Sequence, residues 1–447
     1  MEASTITVHW HNDNSPIYSI DFQPGSPTPR LVTGGGDNNI RVWNLTDNNN
    51  NNQAVEYLST LRKHTQAVNV VRFNPNGTLL ASAGDDGTLM LWQLCDGIVK
   101  EFGEDEQDDD DIKESWKVVA QFRSGTSEIM DICWSPCGQY LVSGSMDNIV
   151  RIYQLTSDNA KVSGKLIHSL KSHNHYIQGV YWDPLDEYIV SQSADRSINI
   201  YKITHTPSGS IKDIKLHRRF FKHNGVHLYH PESLQSFFRR LSFSPDGSLL
   251  ITPAGIEESE IENSNNNSGN SAYVYTRGSL SHAPVFKITG LSKPAIAVSF
   301  HPYKFQGVSK SLKLDYKMIF AIATQDSIVI YSTEEFKPLG YVSNLHYSTI
   351  TDLRWDVQGS RLIICSTDGF CSVIKFDQGI FGNRYTEPVQ PEVLIIPEVE
   401  MIEIAPSPTP PAIENLNLSS SPIRAEAKID TFFPKKEKKR IAPTLVS

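Results

Sequence analysis

An all-β fold, a ring of seven four-stranded blades, is what three features of this sequence predict. First, the stretch His64–Trp92 (HTQAVNVVRFNPNGTLLASAGDDGTLMLW) holds alternating, β-branched-rich runs at Val68–Phe73, Leu79–Ala83 and Thr88–Trp92. Pro75-Asn76-Gly77 and Asp85-Asp86-Gly87 separate these runs, which therefore read as antiparallel strands joined by tight hairpins. Second, one such unit cannot bury both its faces, and the pattern recurs at a spacing of roughly 40 residues or more, the signature of a WD-repeat β-propeller. Third, an Asp stands six residues before an aromatic in Asp37/Trp43, Asp86/Trp92, Asp147/Tyr153 and Asp195/Tyr201. In blades of this kind the Asp caps a hairpin and joins a buried network with a His, a Ser and the aromatic.

The copies follow in order. The first joins Ile17–Pro24 to Leu31–Leu45, and the second is the stretch above. The third is Ile129–Leu155 and the fourth His173–Ile203, where His173, Ser193, Asp195 and Tyr201 are expected to form the network. In the second copy Gly84 is expected where that serine would sit. A weaker fifth copy begins at Phe237 and closes with Ala272–Thr276. The sixth joins Ala295–Pro302 to Phe320–Ser332, and the seventh is His346–Phe376. The run Thr5–Trp10 precedes every inner strand and is expected to supply the outer strand of blade seven, closing the ring so that no edge is left open.

The propeller is thus expected over residues 1–376, interrupted by four insertions. Asn-rich loops at 47–53 and 256–271 are low-complexity and have nothing to pack. The segment 101–114 contains the acidic run Glu104, Asp105, Glu106, Asp108, Asp109, Asp110 and Asp111, either a solvated loop or a docking strip for a basic partner. The insert 204–235 carries His217–His223 (HRRFFKH), whose basic and aromatic residues suit protein docking or blade packing better than stacking on nucleic acid.

Periodicity stops near Asp377. Residues 377–447 are Pro-rich, lack a core of their own, and are expected to be disordered with short binding motifs. Glu426–Phe433 (EAKIDTFF) spaces Ile429, Phe432 and Phe433 on one side of a short helical turn, followed by Lys435 and Lys436. Lys438–Val446 (KKRIAPTLV) runs a basic cluster into an Ile-Ala-Pro-x-Leu core. Lys439 and Arg440 can pair with carboxylates, while Ile441 and Leu445 are apolar anchors. Pro443 fixes its own φ and biases Ala442 to an extended form suited to adding along a sheet edge. A plain nuclear-import cluster, KKEKKR, would explain the charges but not the Ile-Ala-Pro-x-Leu.

Composition excludes several function classes. A net charge of −9 argues against strong direct DNA binding but leaves basic partners such as histones open. No charged-then-apolar leader and no long apolar run suggests secretion or a membrane span. Cys133 and Cys137 straddle a strand and its turn with no second ligand pair, so the five cysteines read as reduced, structural thiols. No phosphate loop, G-x-S-x-G, H-E-x-x-H or paired Cys set occurs, so no catalytic residue, cofactor or metal is expected.

The segments HNDNSPIYSIDF, ASAGDDGTLMLW, VYWDPLDEYIVSQSADRSINIY, SFFRRLSFSPDGSLL, FAIATQDSIVIY, HYSTITDLRW and STDGFCSV together resemble the WD-repeat middle subunits of chromatin assembly factor 1. Hir-type histone chaperones share part of this pattern, but they carry a further large domain after the propeller. The resemblance implies a non-enzymatic subunit of a nuclear, trimeric chaperone that deposits histones H3–H4 on newly replicated DNA. Implied partners are the large subunit, the small WD-repeat subunit, anti-silencing factor 1 and PCNA. By the same resemblance the 438–446 segment looks like the B-domain motif that binds anti-silencing factor 1, and 426–433 like a PCNA-interacting peptide with Glu426 at the usual Gln position. A ubiquitin-ligase substrate receptor is a further reading of a propeller. It calls for W-D-x-R at strand ends, whereas these ends read WNLT, WQLC, YQLT and YKIT.

Overall fold

A computed structural model describes residues 1–26, 30–47, 53–99, 112–123, 127–158, 161–234, 236–257, 269–309 and 312–386. Among them, seven four-stranded antiparallel sheets form the blades of a propeller, and there is no α-helix. Blade two shows the plan: Val68–Phe73, Leu80–Gly84, Thr88–Leu94 and Trp116–Arg123 succeed one another from the inside outwards. Gly77 makes its first hairpin possible. Its φ is +70°, and a Cβ there would lie 2.1 Å from the Pro24 carbonyl oxygen.

Seven hydrophobic clusters each span two neighbouring blades. Val42, Leu61, Val71, Phe73 and Trp92 fill the space between blades one and two. Ile319, Ile330, Trp355 and Ile364 do the same between blades six and seven. Between blades seven and one lie Ile6, Trp10, Ile20, Trp43 and Ile363. The ring is therefore stabilised at every seam, closure included, because a strand buried on both faces must be apolar on both.

Closure comes from the N-terminus, at a register different from the expected one. Glu2–Ile6, not Thr5–Trp10, pairs antiparallel with Cys371–Lys375 as the outer strand of blade seven. Trp10 belongs to the turn beyond: its indole donates to the Ile6 carbonyl, and its ring meets Trp43 of blade one edge-on at 4.9 Å. Packing of the larger aromatic overrides the strand alternation of the run.

Four expected boundaries also shift. Within 204–235, Ile211–Phe220 is the fourth strand of blade four, and Lys222–His223 pairs with Val226–His227 in a small hairpin. HRRFFKH is thus largely edge strand, with Phe220 buried against blade five. Residues 256–257 and 269–271 lie inside paired strands of blade five. Ile112–Glu114 is held to blade one through the Leu58 carbonyl and an Arg30–Glu114 ion pair. Finally, the fold runs past 376: Phe381 packs on Trp355 and Phe376, and the Gln306 and Tyr385 N–H groups bond the Asn383 and Lys304 carbonyls.

Candidate interaction site

In six blades the ladder between the first two strands shifts after the first residue of the inner strand. Such a bulge leaves one residue out of the pairing and re-aims its side chain. The residues so released are Tyr18, Asn69, Met130, Gln178, Ile296 and Thr351. Met130 and Ile296 pack with Tyr18 around Phe238 on the ring axis, and Tyr18, Asn69, Met130 and Thr351 line the depressions there. A backbone irregularity repeated in six blades thus contributes to the central mouth of this face.

Blade five departs from the rule. Its inner strand shrinks to Ser242–Phe243, and Phe237–Leu241 replaces the missing part. Arg240 exchanges hydrogen bonds with Ile296 and Val298 of blade six, and the Arg239 N–H bonds the Gln178 carbonyl of blade four. Below Phe238, whose ring lies 4.4 Å from the Arg240 guanidinium, is a buried charge cluster. Arg240 reaches Asp131 at 2.8 Å and Asp352 at 3.8 Å, and Arg72 reaches Asp352 at 3.0 Å. Arg354 and Asp21 stand 3.6 Å apart beside it. Burial would raise the Asp352 carboxyl, but Arg240, Arg72 and Arg354 hold it at about 2. Burial prevails at Asp131, which is raised despite Arg240 and Arg72. Three guanidiniums and three carboxylates balance, so the channel is plugged without net charge.

The His–Asp networks lie at the same end of the blades, and the structure corrects their membership. His64 bonds Asp86 at 2.8 Å through Nδ1 and Ser82 at 2.8 Å through Nε2, and the Trp92 indole donates to Ser82 at 2.8 Å. The serine is Ser82; Gly84 is not its vacant place. In blade four it is Ser191, 2.7 Å from His173 Nε2, whereas Ser193 donates to the His175 and Tyr176 carbonyls. Both expectations were two residues late. Strand alternation puts positions i and i+2 on one face and cannot separate them.

Blade one completes the set with His11, Thr33, Asp37 and Trp43. Burial lowers the His11 pKa against the pull of Asp37. Burial would raise Asp37, but His11 and the Asn12 and Asn39 N–H groups draw it below the usual carboxylate range. In blade three Arg151, four residues after Asp147, bonds Asp147 and Ser145. In blade five the Tyr229 hydroxyl lies 2.9 Å from both the Thr252 and Tyr275 hydroxyls.

The hydroxyl–imidazole–carboxylate order of blades one, two and four is that of a hydrolase triad, yet Thr33, Ser82 and Ser191 are fully buried. An indole N–H already occupies the oxygen in blades one and two, leaving no approach for a carbonyl substrate. The networks pin hairpins.

The five cysteines are unpaired thiols, and burial pushes Cys133 up to about 11. Among the described residues, no group of three or more His, Cys, Asp or Glu could hold a metal. The acidic run 104–111 and the tail positions Ile429, Phe432, Phe433, Lys439, Arg440, Ile441, Pro443 and Leu445 lie outside the described residues. Sequence reading missed Phe237, Phe238 and the carboxylates around the mouth. The signal was present in the weak fifth copy, whose FFRR occupies inner-strand positions of a blade.

Seven four-stranded blades, the last closed by the N-terminal strand, define a β-propeller of the WD-repeat type. The CAF1B/HIR1 beta-propeller domain family matches residues 1–381. The B-type subunit of chromatin assembly factor 1 in Saccharomyces cerevisiae is 37% identical over 426 residues, covering 87% of this chain and 89% of that protein. Its namesake in Schizosaccharomyces pombe is 36% identical, with both chains covered end to end (100% each). Protein HIRA of Oryza sativa subsp. japonica is 36% identical over 82% of this chain but only 37% of its own length. The chain belongs to the CAF1B/HIR1 β-propeller family, as its repeat segments suggest.

Proposed function

We propose that this chain is the WD-repeat subunit of a chromatin assembly factor 1 complex, a nuclear histone chaperone that deposits H3–H4 on replicated DNA. The observation that carries this is agreement with the two yeast chromatin assembly factor 1 relatives along their length, against about a third of the length of a HIRA protein. The chain acts as a non-enzymatic scaffold. Its propeller docks the large subunit, with Glu104–Asp111 contributing, and the small WD-repeat subunit joins the same complex. Its tail binds anti-silencing factor 1 through Lys439, Arg440, Ile441, Pro443 and Leu445. Ile429, Phe432 and Phe433 offer a PCNA contact, tested by binding of a labelled 426–436 peptide.

Purification of the endogenous protein followed by mass spectrometry tests the assignment. Recovery of the large subunit and histones is expected; recovery of cullin subunits instead would overturn it. For the tail, Ile441→Asp with Leu445→Asp is expected to weaken binding to anti-silencing factor 1 roughly a hundredfold or more while leaving nuclear import intact. A carboxylate forced into an apolar pocket costs several kcal/mol, on the order of that ratio. Calorimetry showing unchanged affinity would remove the tail from the interface.

A further inference from the structure

Two depressions of about 480 and 210 Å³ open side by side on the face where the inner strands begin, sharing Tyr18, Phe237 and Phe238. Their floor is apolar: Phe238 and Met130 are buried, and Ile350 lines the larger depression. Between them stands Phe237, 66% exposed in a chain that buries most of its aromatics. Such exposure of a large apolar side chain inside a concavity marks a binding surface.

The charge of the lining is one-sided. Glu232 borders the larger depression, Asp85 and Glu128 the smaller, and among the described residues no Lys or Arg lines either. Glu232 meets His175 at 3.0 Å but keeps 58% of its side chain exposed, and Asp85 accepts from Asn69 at 2.6 Å. The Arg240 guanidinium lies beneath Phe238 and is spent on Asp131, so it does not offset these carboxylates. Nucleic acid and anionic lipid are repelled by such a rim, while lysine and arginine are drawn to it.

We infer that this mouth is a further docking site, built from residues of neither the acidic run nor the tail. It takes a partner-protein segment in which Lys or Arg flanks one large apolar side chain. The apolar group enters beside Phe237 onto the Tyr18–Phe238 floor, and the cations pair with Glu128, Glu232 and Asp85. The site draws on blades one, two, three, four and seven and on residues 232–234 and 236–238, and bulged inner strands supply Tyr18, Asn69, Met130 and Thr351.

The test pans a displayed library of random 12-residue peptides on the full chain. A parallel selection uses the variant Phe237→Ser with Glu128→Lys and Glu232→Lys, whose fold is verified by an unchanged melting curve; Phe237→Ser alone serves if the triple variant melts early. Peptides lost on the variant are expected to carry basic residues around a Leu, Phe, Trp or Met and to bind it at least tenfold more weakly. A charge reversal far from the mouth, Lys212→Glu, is expected to leave their affinity unchanged. The inference is overturned if no peptide distinguishes the two proteins, or if the distinguishing peptides are acidic or lack the apolar residue.

Discussion

His301 shows how far a single side chain can be committed to the fold. It sits among Tyr303, Phe305, Trp355 and Phe381, and its Nδ1 accepts from the Tyr303 N–H at 3.0 Å while Nε2 bonds the Gly359 carbonyl at 3.0 Å. That pattern needs the neutral ring with its proton on Nε2. Burial lowers its pKa to about 4, against the pull of the two backbone bonds. The unfolded chain, with an imidazole near 6.5, binds the proton more readily. Stability is therefore fully present above about 6.5 and is lost as pH falls towards 4, by about 3 kcal/mol for this group. Urea midpoints measured across that window should fall for the parent and fall less for His301→Asn; equal slopes would free His301 of the effect. The corrected networks give a second test at this scale. Ser82→Ala strands the Trp92 and His64 ring nitrogens and should cost about 1–3 kcal/mol. Gly84→Ser should cost more, because a Cβ at position 84 lies 2.0 Å from the Ala67 carbonyl oxygen. Had Gly84 held the serine's place, that substitution would stabilise.

At the scale of elements, the first strand carries the closure of the ring. Removal of residues 1–6 should leave the outer edge of Cys371–Lys375 unpaired and expose the Ile6 site, a loss of about 1.5–3 kcal/mol from that side chain alone. Hydrogen exchange should then rise first in blade seven, and uniform protection would show that the strand is dispensable. Repeat, hairpins and blade number were legible because period-two alternation between turn residues is local. What was not legible depends on groups distant in sequence. Trp10 leaves the strand because it meets Trp43, and Phe381 extends the fold because His301, Trp355 and Phe376 wait for it. The mouth was hidden for the same reason: its lining comes from five blades and from the segment before the fifth inner strand, and a bulge, not a motif, turns Tyr18, Asn69, Met130 and Thr351 inward.

At the scale of the whole molecule, Arg240 ties together blades that share no sheet. Its backbone pairs with blade six, its guanidinium meets Asp131 of blade three and Asp352 of blade seven, and it donates to the carbonyls of Tyr18 in blade one and Asn69 in blade two. Charges this deeply buried are held by compensation, not by solvent, so removing one partner leaves the others exposed to the full cost of desolvation. Arg240→Met keeps the length of the side chain but abandons Asp131, whose nearest remaining guanidinium is Arg72 at 3.9 Å. The expected loss is about 3–5 kcal/mol. Adding Asp131→Asn removes the stranded charge and should recover a substantial part of it, a coupling that two independent sites would not show. Denaturant titration of the parent, both single variants and the double variant measures this directly. If the two losses simply add, the cluster is filler in the channel and the seven seams alone hold the ring.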